Sequence, residues 1–258
     1  MILNSIEAGA APAGSGPPLI LLHGLFGAAK NLGVIARGLS TQARVLSLDL
    51  RNHGDSPHAA GMDYATMAAD VAETIAALEI TSAMVVGHSM GGKTAMALAL
   101  SQPALVQKLV VMDIAPVSYN HAFAPYVAAM QGLALTPALT RQDANAALAE
   151  AIPEAAMRAF LLNNLILGAA PRWRLALPEI AAAMPDLTAW RDPPDAKPYP
   201  RPALFLRGAT SGYVRDDAWQ TILDKFPAAV QKTIADAGHW LHAEQPAAVI
   251  AALKEFLF

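Results

Sequence analysis

The sequence predicts an α/β fold, with a mostly parallel, doubly wound sheet that a helical insertion interrupts. Short apolar segments of strand length alternate with amphipathic helical segments through residues 1–116, as expected for parallel strands covered by helices on both faces. The same alternation resumes at 201–258. The stretch 117–200 is alanine-rich and mostly helical, with no clear strand. We therefore expect a core of 1–116 and 201–258, and a helical cap of 117–200, here called the insertion.

The predicted strands are short runs rich in Val, Leu and Ile, since a strand buried on both faces needs no polar alternation. In chain order they are PPLILLHG, ARVLSLDL, SAMVVG, QKLVVMD, PALFLRG and AVQKTI. Ligands of such sheets bind outside the carboxyl ends of the strands. His23, Asp49, Gly87 and Asp113 all fall at those ends, which predicts a functional site there.

The predicted helices lie between these strands and carry apolar residues at helical spacing. They are NLGVIARGLS, TMAADVAETIAAL, GGKTAMALALS and PAAVIAALKEFLF. In the second, Met67, Val71, Ile75 and Leu78 form one apolar face. The insertion closes with the proline-rich RDPPDAKPYPRP, which is typical of a linker.

Composition excludes several classes of function. The chain has no cysteine, so disulfides, thiolate catalysis and cysteine-based zinc sites are excluded. A net charge of -3, from 18 basic and 21 acidic residues, gives no reason to expect a nucleic acid or an anionic membrane as partner. The chain begins without a secretory signal pattern, and no run approaches the ~20 apolar residues that span a bilayer. We expect a cytoplasmic protein, either a monomer or a homodimer.

The segment VVGHSMGG contains Gly-x-Ser-x-Gly at residues 87–91, with Ser89 at its centre. A predicted strand precedes it and a predicted helix follows it, which is the context in which this motif presents a nucleophilic serine. The glycines permit a strained turn, and the helix N-terminus favours a developing negative charge. The alternative is a serine that only caps its helix.

A serine hydroxyl needs a base, and histidine is the side chain whose pKa lies near neutrality. Seven histidines are available. His239 follows the last predicted strand and precedes the last helix, so we expect it in the same crevice as Ser89. His58 and His121 lie in or near polar loops. His242 has the helical spacing from His239 for a metal pair, but no third ligand is evident, so we expect a polar group on the last helix and no metal.

Two backbone N–H groups are expected to bind the oxygen that becomes negative during acyl transfer. We assign one to Met90, directly after the predicted nucleophile. We assign the other to Leu25, which follows His23 and Gly24 at the end of the first apolar strand. His23 is expected to orient this loop.

The acid that orients the histidine is predicted to be Asp113, which ends the strand after the nucleophile's helix. Many sheets of this kind place it after the strand PALFLRG, but there the corresponding position is Ser211. The alternatives are Asp216 and Asp217, whose other role is to complement a helix dipole. An alternative role for Asp113 is to hold the IAPVSY loop that follows it in place.

The segments HGLFG, DLRNHGDSPH, GHSMGGK, VVMDIAPVSY and AGHWLHAEQP, in this order, resemble the YbfF-type esterases of the α/β-hydrolase superfamily. The resemblance spans nearly the whole chain and is weakest in the insertion. It implies a triad of Ser89, Asp113 and His239, a pocket serine at Ser211, and a helical cap that forms an acyl pocket. It also implies hydrolysis of carboxylic esters, with acyl thioesters as an open alternative. With Ser211, we expect His88, Phe26 and Trp240 to bind the substrate.

The predicted function is therefore that of a serine carboxylesterase acting on short- to medium-chain esters through an acyl-enzyme on Ser89, with no metal or organic cofactor. Perhydrolase and carbon-carbon bond hydrolase chemistry would use the same residues. A ligand-binding relative with very slow turnover is the alternative from another class.

Three further features have two interpretations each. Arg51, His53 and Asp55 either bind a substrate anion or form a loop that hydrogen-bonds to itself, and we place Lys93 in the same group. Trp173 and Trp190 either line the pocket or belong to the core of the insertion.

Overall fold

The computed structural model describes residues 1–9, 16–120 and 123–258. Nine strands occur in these ranges: β1 (Ser5–Ala8), β2 (Leu19–Leu22), β3 (Val45–Leu48), β4 (Ala83–His88), β5 (Val106–Met112), β6 (Leu165–Ile166), β7 (Arg172–Trp173), β8 (Ala203–Gly208) and β9 (Ala229–Ile234).

The same ranges contain ten α-helices: α1 (Gly33–Leu39), α2 (Tyr64–Ala77), α3 (Met90–Ser101), α4 (Ala124–Gln131), α5 (Arg141–Ala147), α6 (Ala155–Leu162), α7 (Leu177–Thr188), α8 (Trp219–Lys225), α9 (Leu241–Glu244) and α10 (Pro246–Leu257). Short 3-10 turns at Ala29–Leu32 and Asp216–Ala218 lead into α1 and α8. None of these helices has the length and apolar character needed to cross a bilayer.

Seven strands form one sheet in the order β1-β3-β2-β4-β5-β8-β9. Neighbouring strands in this sheet run parallel, except that β1 pairs antiparallel with β3 at the edge. This confirms the predicted α/β class and the mostly parallel sheet. The edge strand β1 was not predicted, because its four residues are partly exposed and form no apolar run.

Alternate residues of each central strand enter opposite apolar layers, because successive side chains of a strand point to opposite faces. In β2, Ile20 and Leu22 face the layer that contains α2 and α3. Leu19 and Leu21 face the other layer, which contains α1 and α10. The sheet is therefore covered on both faces, and polar groups are placed at its strand ends.

The helices α4 to α7 all lie within the insertion. Its buried side chains, among them Val127, Leu161 and Leu187, join the same apolar cluster as α2 and α3. The Tyr64 hydroxyl of α2 also donates to the Leu187 carbonyl at 2.6 Å. The insertion therefore packs directly on the elements that carry the strand ends.

The prediction that the insertion has no strand was wrong in one place. β6 and β7 form a two-stranded antiparallel pair in which Leu165 faces Trp173. Gly168 in the connecting turn has a φ of 119°, a conformation that favours glycine. Strands of two residues are too short to give a periodic pattern.

Candidate active site

Ser89 lies in a sharp turn between the end of β4 and the start of α3. Its φ of 53° and ψ of -118° are strained for a residue with a side chain. The turn requires glycine on both sides. A Cβ at Gly87 would lie 2.2 Å from the Gly91 carbonyl oxygen, and a Cβ at Gly91 would lie 2.4 Å from that of Leu22. The sequence motif is therefore a steric requirement of this turn.

His239, in the connection from β9 to α9, links Ser89 to Asp113. Its Nε2 lies 3.1 Å from the Ser89 Oγ, and its Nδ1 lies 2.7 Å from the Asp113 Oδ2. An ionised Asp113 fixes the proton on Nδ1 and leaves Nε2 to accept from the serine hydroxyl. The structure thus brings together all three side chains predicted as nucleophile, base and acid.

Asp113 is completely buried and ends β5 with a φ of 54°. Its Oδ1 accepts from the Gly208 N–H at 2.9 Å, while Oδ2 accepts from His239 and from the Ser211 hydroxyl. These donors satisfy a carboxylate that would otherwise be expensive to bury. Ser211 therefore contacts the acid, and it is not among the described residues that line the main cavity introduced below. Its predicted substrate contact has no support in this geometry.

The alternative acids point elsewhere. Asp216 pairs with Arg207 at 2.6 Å and Asp217 with Arg215 at 2.7 Å, and both carboxylates are exposed. Neither is hydrogen-bonded to His239.

Leu25 and Met90 flank Ser89. Met90 is the first residue of α3, so its N–H has no acceptor within the helix. Among the described residues the Leu25 N–H has no backbone acceptor either. A Cβ at Gly24 would lie 3.2 Å from the Ser89 Cβ, so this glycine lets the Leu25 loop approach the serine. The arrangement can present two N–H groups to one oxygen.

Two buried histidines fix the loop that carries Leu25. His23 accepts from the Leu50 N–H at 3.0 Å through Nε2 and donates to the Gly24 carbonyl at 2.8 Å through Nδ1. The His53 Nε2 accepts from the Phe26 N–H at 3.1 Å. Burial lowers the pKa of both imidazoles, that of His53 to about 3, so each remains neutral and able to accept.

The other side chains of the 51–55 loop point away from the serine. Arg51 forms a two-point pair with Asp70 of α2, at 2.5 and 2.9 Å. Asp55 pairs with Arg174 of the insertion at 2.6 Å. The loop is hydrogen-bonded partly to itself, since His53 Nδ1 donates to the Arg51 carbonyl, but its charged groups bind to other elements.

A cavity of about 200 Å³, here called the main cavity, opens at Ser89 and His239. Three of the predicted substrate-binding residues, Phe26, His88 and Trp240, line it. The insertion contributes Phe123, Met157 and Phe160 to its wall. The lining is dominated by apolar side chains, as in most small-molecule sites.

His88 and His242 lie beside His239, and the centroids of their own two rings are 4.4 Å apart. His88 Nε2 donates to the His239 carbonyl at 2.8 Å and so anchors that loop. Burial lowers the pKa of His88 well below its usual value, and burial with the nearby His239 lowers that of His242 to about 4. The prediction for His242 was wrong in its position, since the residue lies on α9 and not on the last helix. Its side chain is buried. In the described part of the chain no three potential ligands are grouped for a metal ion.

Two contacts near the site were not predicted from sequence. Tyr213, five residues after the end of β8, stacks on the His239 ring with centroids 3.7 Å apart and planes 11° apart. Lys93, grouped above with the 51–55 loop, is buried on α3, where its Nζ donates to the Ala189 carbonyl at 2.8 Å. Burial lowers the Lys93 pKa to about 7. No local pattern marks either residue, because each contact joins distant parts of the chain.

The two tryptophans of the insertion, for which the sequence left two interpretations open, have different environments. Trp173 donates to the Met130 carbonyl at 3.1 Å within the insertion, and Trp190 donates to Asp192 at 2.8 Å while its ring packs on Tyr64. Neither is among the described residues of the main cavity. His121 lies outside the described residues.

Comparisons with known proteins agree with this architecture. The family model described as alpha/beta hydrolase fold matches residues 17–246. The sn-1-specific diacylglycerol lipase ABHD11 of Xenopus tropicalis is 44% identical over 92% of this chain and 76% of its own length. Esterase YbfF of Escherichia coli is 39% identical over 93% of this chain and 92% of its own length.

Among solved structures, a marine microorganism esterase is 37% identical with a TM-score of 0.93, and 99% of each chain is covered. The family match spans most of the chain, and each of the two curated relatives covers more than nine tenths of it. The chain therefore belongs to the alpha/beta hydrolase fold family.

Proposed function

We propose that this chain is a serine carboxylesterase that hydrolyses short- to medium-chain carboxylic esters through an acyl-enzyme on Ser89. The observation that carries the proposal is the continuous hydrogen-bonded series from Ser89 through His239 to the buried Asp113. The relatives named esterase and lipase support the same class of reaction.

In the first half of the reaction, His239 Nε2 takes the Ser89 hydroxyl proton as Oγ attacks the ester carbonyl carbon. The carbonyl oxygen becomes negative and accepts from the Leu25 and Met90 N–H groups. Asp113 stabilises the imidazolium that forms. The imidazolium then gives its Nε2 proton to the alcohol oxygen as the carbon-oxygen bond breaks, which leaves the acyl group on Ser89.

In the second half, a water molecule replaces the alcohol. His239 takes a proton from the water, the hydroxide attacks the acyl carbon, and the Ser89 oxygen leaves with that proton. The products are the free acid and the original enzyme. The insertion acts as a cap in this proposal, since Phe123, Met157 and Phe160 shield the main cavity from bulk water.

The test is a comparison of initial rates on p-nitrophenyl acetate, butyrate and octanoate for wild type, Ser89→Ala and Asp113→Asn. We expect Ser89→Ala to lose at least about 10³-fold in kcat. We expect Asp113→Asn to lose about 10⁴-fold, because an amide in place of the carboxylate favours the wrong imidazole tautomer.

Asp216→Asn is the matched control, because it makes the same change in an exposed acid that follows β8, the neighbour of β5 in the sheet. It should retain wild-type rates. Melting temperatures would show that each variant is folded. A folded Asp113→Asn that loses less than tenfold would contradict the assignment of the acid.

A further inference from the structure

Ser89 lies between two cavities of unequal size. One is the main cavity of about 200 Å³. The other, here called the small chamber, has a volume of about 40 Å³ and lies between α3 and α7. Both are lined by Leu25, Ser89 and Tyr213. An ester also has two sides, the acyl group and the alcohol, and they meet at the carbon that Ser89 attacks.

The catalytic histidine distinguishes the two cavities. Among the described lining residues, His239 belongs to the main cavity and not to the small chamber. Met90, one of the two proposed oxyanion donors, lines the small chamber. The alcohol oxygen must receive a proton from His239 Nε2 as its bond to carbon breaks, so the alcohol has to leave on the side where that nitrogen is exposed.

We infer that the small chamber binds the acyl group and the main cavity binds the alcohol, so that preferred substrates join a short acyl group to a larger apolar alcohol. The inference rests on the proposed function, since it assumes attack by Ser89. The resemblance described above implied that the insertion forms an acyl pocket. Here α7 of the insertion lines the small chamber that holds the acyl group, while the larger space that the insertion covers holds the alcohol.

The volumes set the sizes of the two groups. The small chamber has about one fifth of the volume of the main cavity, so the group that it binds must be the smaller of the two.

The wall of the small chamber is also fixed. Lys93 lines it, and its Nζ is held by the Ala189 carbonyl at 2.8 Å and lies 4.9 Å from the centroid of the Tyr119 ring. A side chain with partners on two sides does not move aside without losing them. A long alkyl chain would therefore meet a fixed Lys93 side chain on one side of this chamber.

The test uses two isomeric esters, octyl acetate and ethyl octanoate, with acid release followed by pH-stat titration. They have the same composition and similar leaving groups. The ratio of their kcat/KM values therefore reports whether the enzyme prefers the long chain on the alcohol side or on the acyl side. We expect kcat/KM for octyl acetate to exceed that for ethyl octanoate by at least tenfold. A ratio of one or below would overturn the inference.

Two matched variants locate the effect. Met184→Ala enlarges the small chamber and Met157→Ala enlarges the main cavity. We expect Met184→Ala to raise kcat/KM for ethyl octanoate relative to octyl acetate by at least fivefold. We expect Met157→Ala to keep a preference for octyl acetate at least as large as that of wild type. A rise for ethyl octanoate in Met157→Ala alone would place the acyl group in the main cavity and overturn the inference.

The two proposals fail in different ways. If wild type hydrolyses p-nitrophenyl esters in a Ser89-dependent manner but prefers ethyl octanoate, the esterase function holds and the chamber assignment is wrong. If no ester is hydrolysed, the proposed function fails, and the assignment that rests on it fails too. If Met184→Ala does not fold, the isomer ratio of wild type still decides.

Discussion

The core and the insertion contribute to the site in different ways. Every residue of β2 and β4 is buried, and the core supplies Ser89, Asp113 and His239 from loops that follow β4, β5 and β9. The insertion contains helices and one two-stranded pair, and supplies apolar walls such as Met157 and Met184. In the proposed function, the core therefore supplies the reacting side chains and the insertion supplies much of the cavity wall.

Backbone strain is also unequal between the two regions. Six described non-glycine residues of the core have positive φ, and three of them, Phe26, Ser89 and Asp113, lie at the candidate site. Among the described residues of the insertion, Asp195 is the one non-glycine residue with positive φ, and it lies in the proline-rich linker. Each such residue costs of order 1–3 kcal/mol, which the surrounding packing must offset.

Adding a methyl group at a glycine should destabilise the core much more than the insertion. Gly91→Ala would place a Cβ 2.4 Å from a backbone oxygen of Leu22, so we expect little or no folded protein. Gly132→Ala is the matched change in the insertion. There the Cβ would meet its nearest atom at 3.4 Å with φ at -75°, so we expect stability within about 1 kcal/mol of wild type. Soluble yield and urea unfolding would measure both, and a stable Gly91→Ala would contradict the steric account.

A second pair of variants compares ion pairs. Asp70→Asn leaves Arg51 buried with its charge unpaired, and we expect a loss of about 3–5 kcal/mol in the free energy of unfolding. Asp55→Asn removes the exposed pair that joins the core to Arg174 of the insertion, and we expect a loss of less than about 1 kcal/mol. Equal losses in urea unfolding would show that burial does not distinguish the two pairs.

His242 predicts a pH dependence of stability. The folded protein keeps this imidazole neutral down to about pH 4, whereas the unfolded chain takes up a proton near pH 6.5. The unfolded state therefore binds more protons in this window, and stability falls as the pH falls from about 6.5 to about 4. We expect His242→Phe to reduce the loss between pH 7.5 and pH 4.5 by roughly 2–3 kcal/mol, measured by urea unfolding. An unchanged loss would contradict a buried, neutral His242.

The smallest effect concerns a contact from the insertion to the core. The buried Asn164 donates to the Phe26 carbonyl at 2.8 Å, next to the predicted oxyanion donor Leu25. Asn164→Ala leaves that carbonyl unpaired, so we expect a loss of about 1–2 kcal/mol in stability and a lower kcat. Asn163→Ala, an exposed neighbour, is the control and should change neither. If both variants behave alike, the contact does not support the loop.

The two regions also differ in how far sequence could predict them. Core strands were identified because continuous apolar runs such as Leu19–Leu22 are typical of parallel sheets. The positions of Ser89, His239 and Asp113 followed from strand ends, which topology brings to one edge. The edge strand β1 and the pair β6–β7 gave no such pattern.

Contacts between distant elements could not be predicted. The stacking of Tyr213 on His239 and the burial of Lys93 depend on how the insertion and loops pack, which no local spacing encodes. The family resemblance implied that Ser211 lies in the substrate pocket, whereas its hydroxyl contacts Asp113. Cavity volumes depend on the same packing.

Whether Ser89 is the activated nucleophile can be measured by intact mass spectrometry after treatment with a fluorophosphonate. Such reagents phosphonylate an activated serine and release fluoride. We expect one added phosphonyl group on wild type, located by peptide mapping at Ser89, and none on Ser89→Ala. If wild type stays unmodified, or if Ser89→Ala is labelled equally, Ser89 is not the nucleophile.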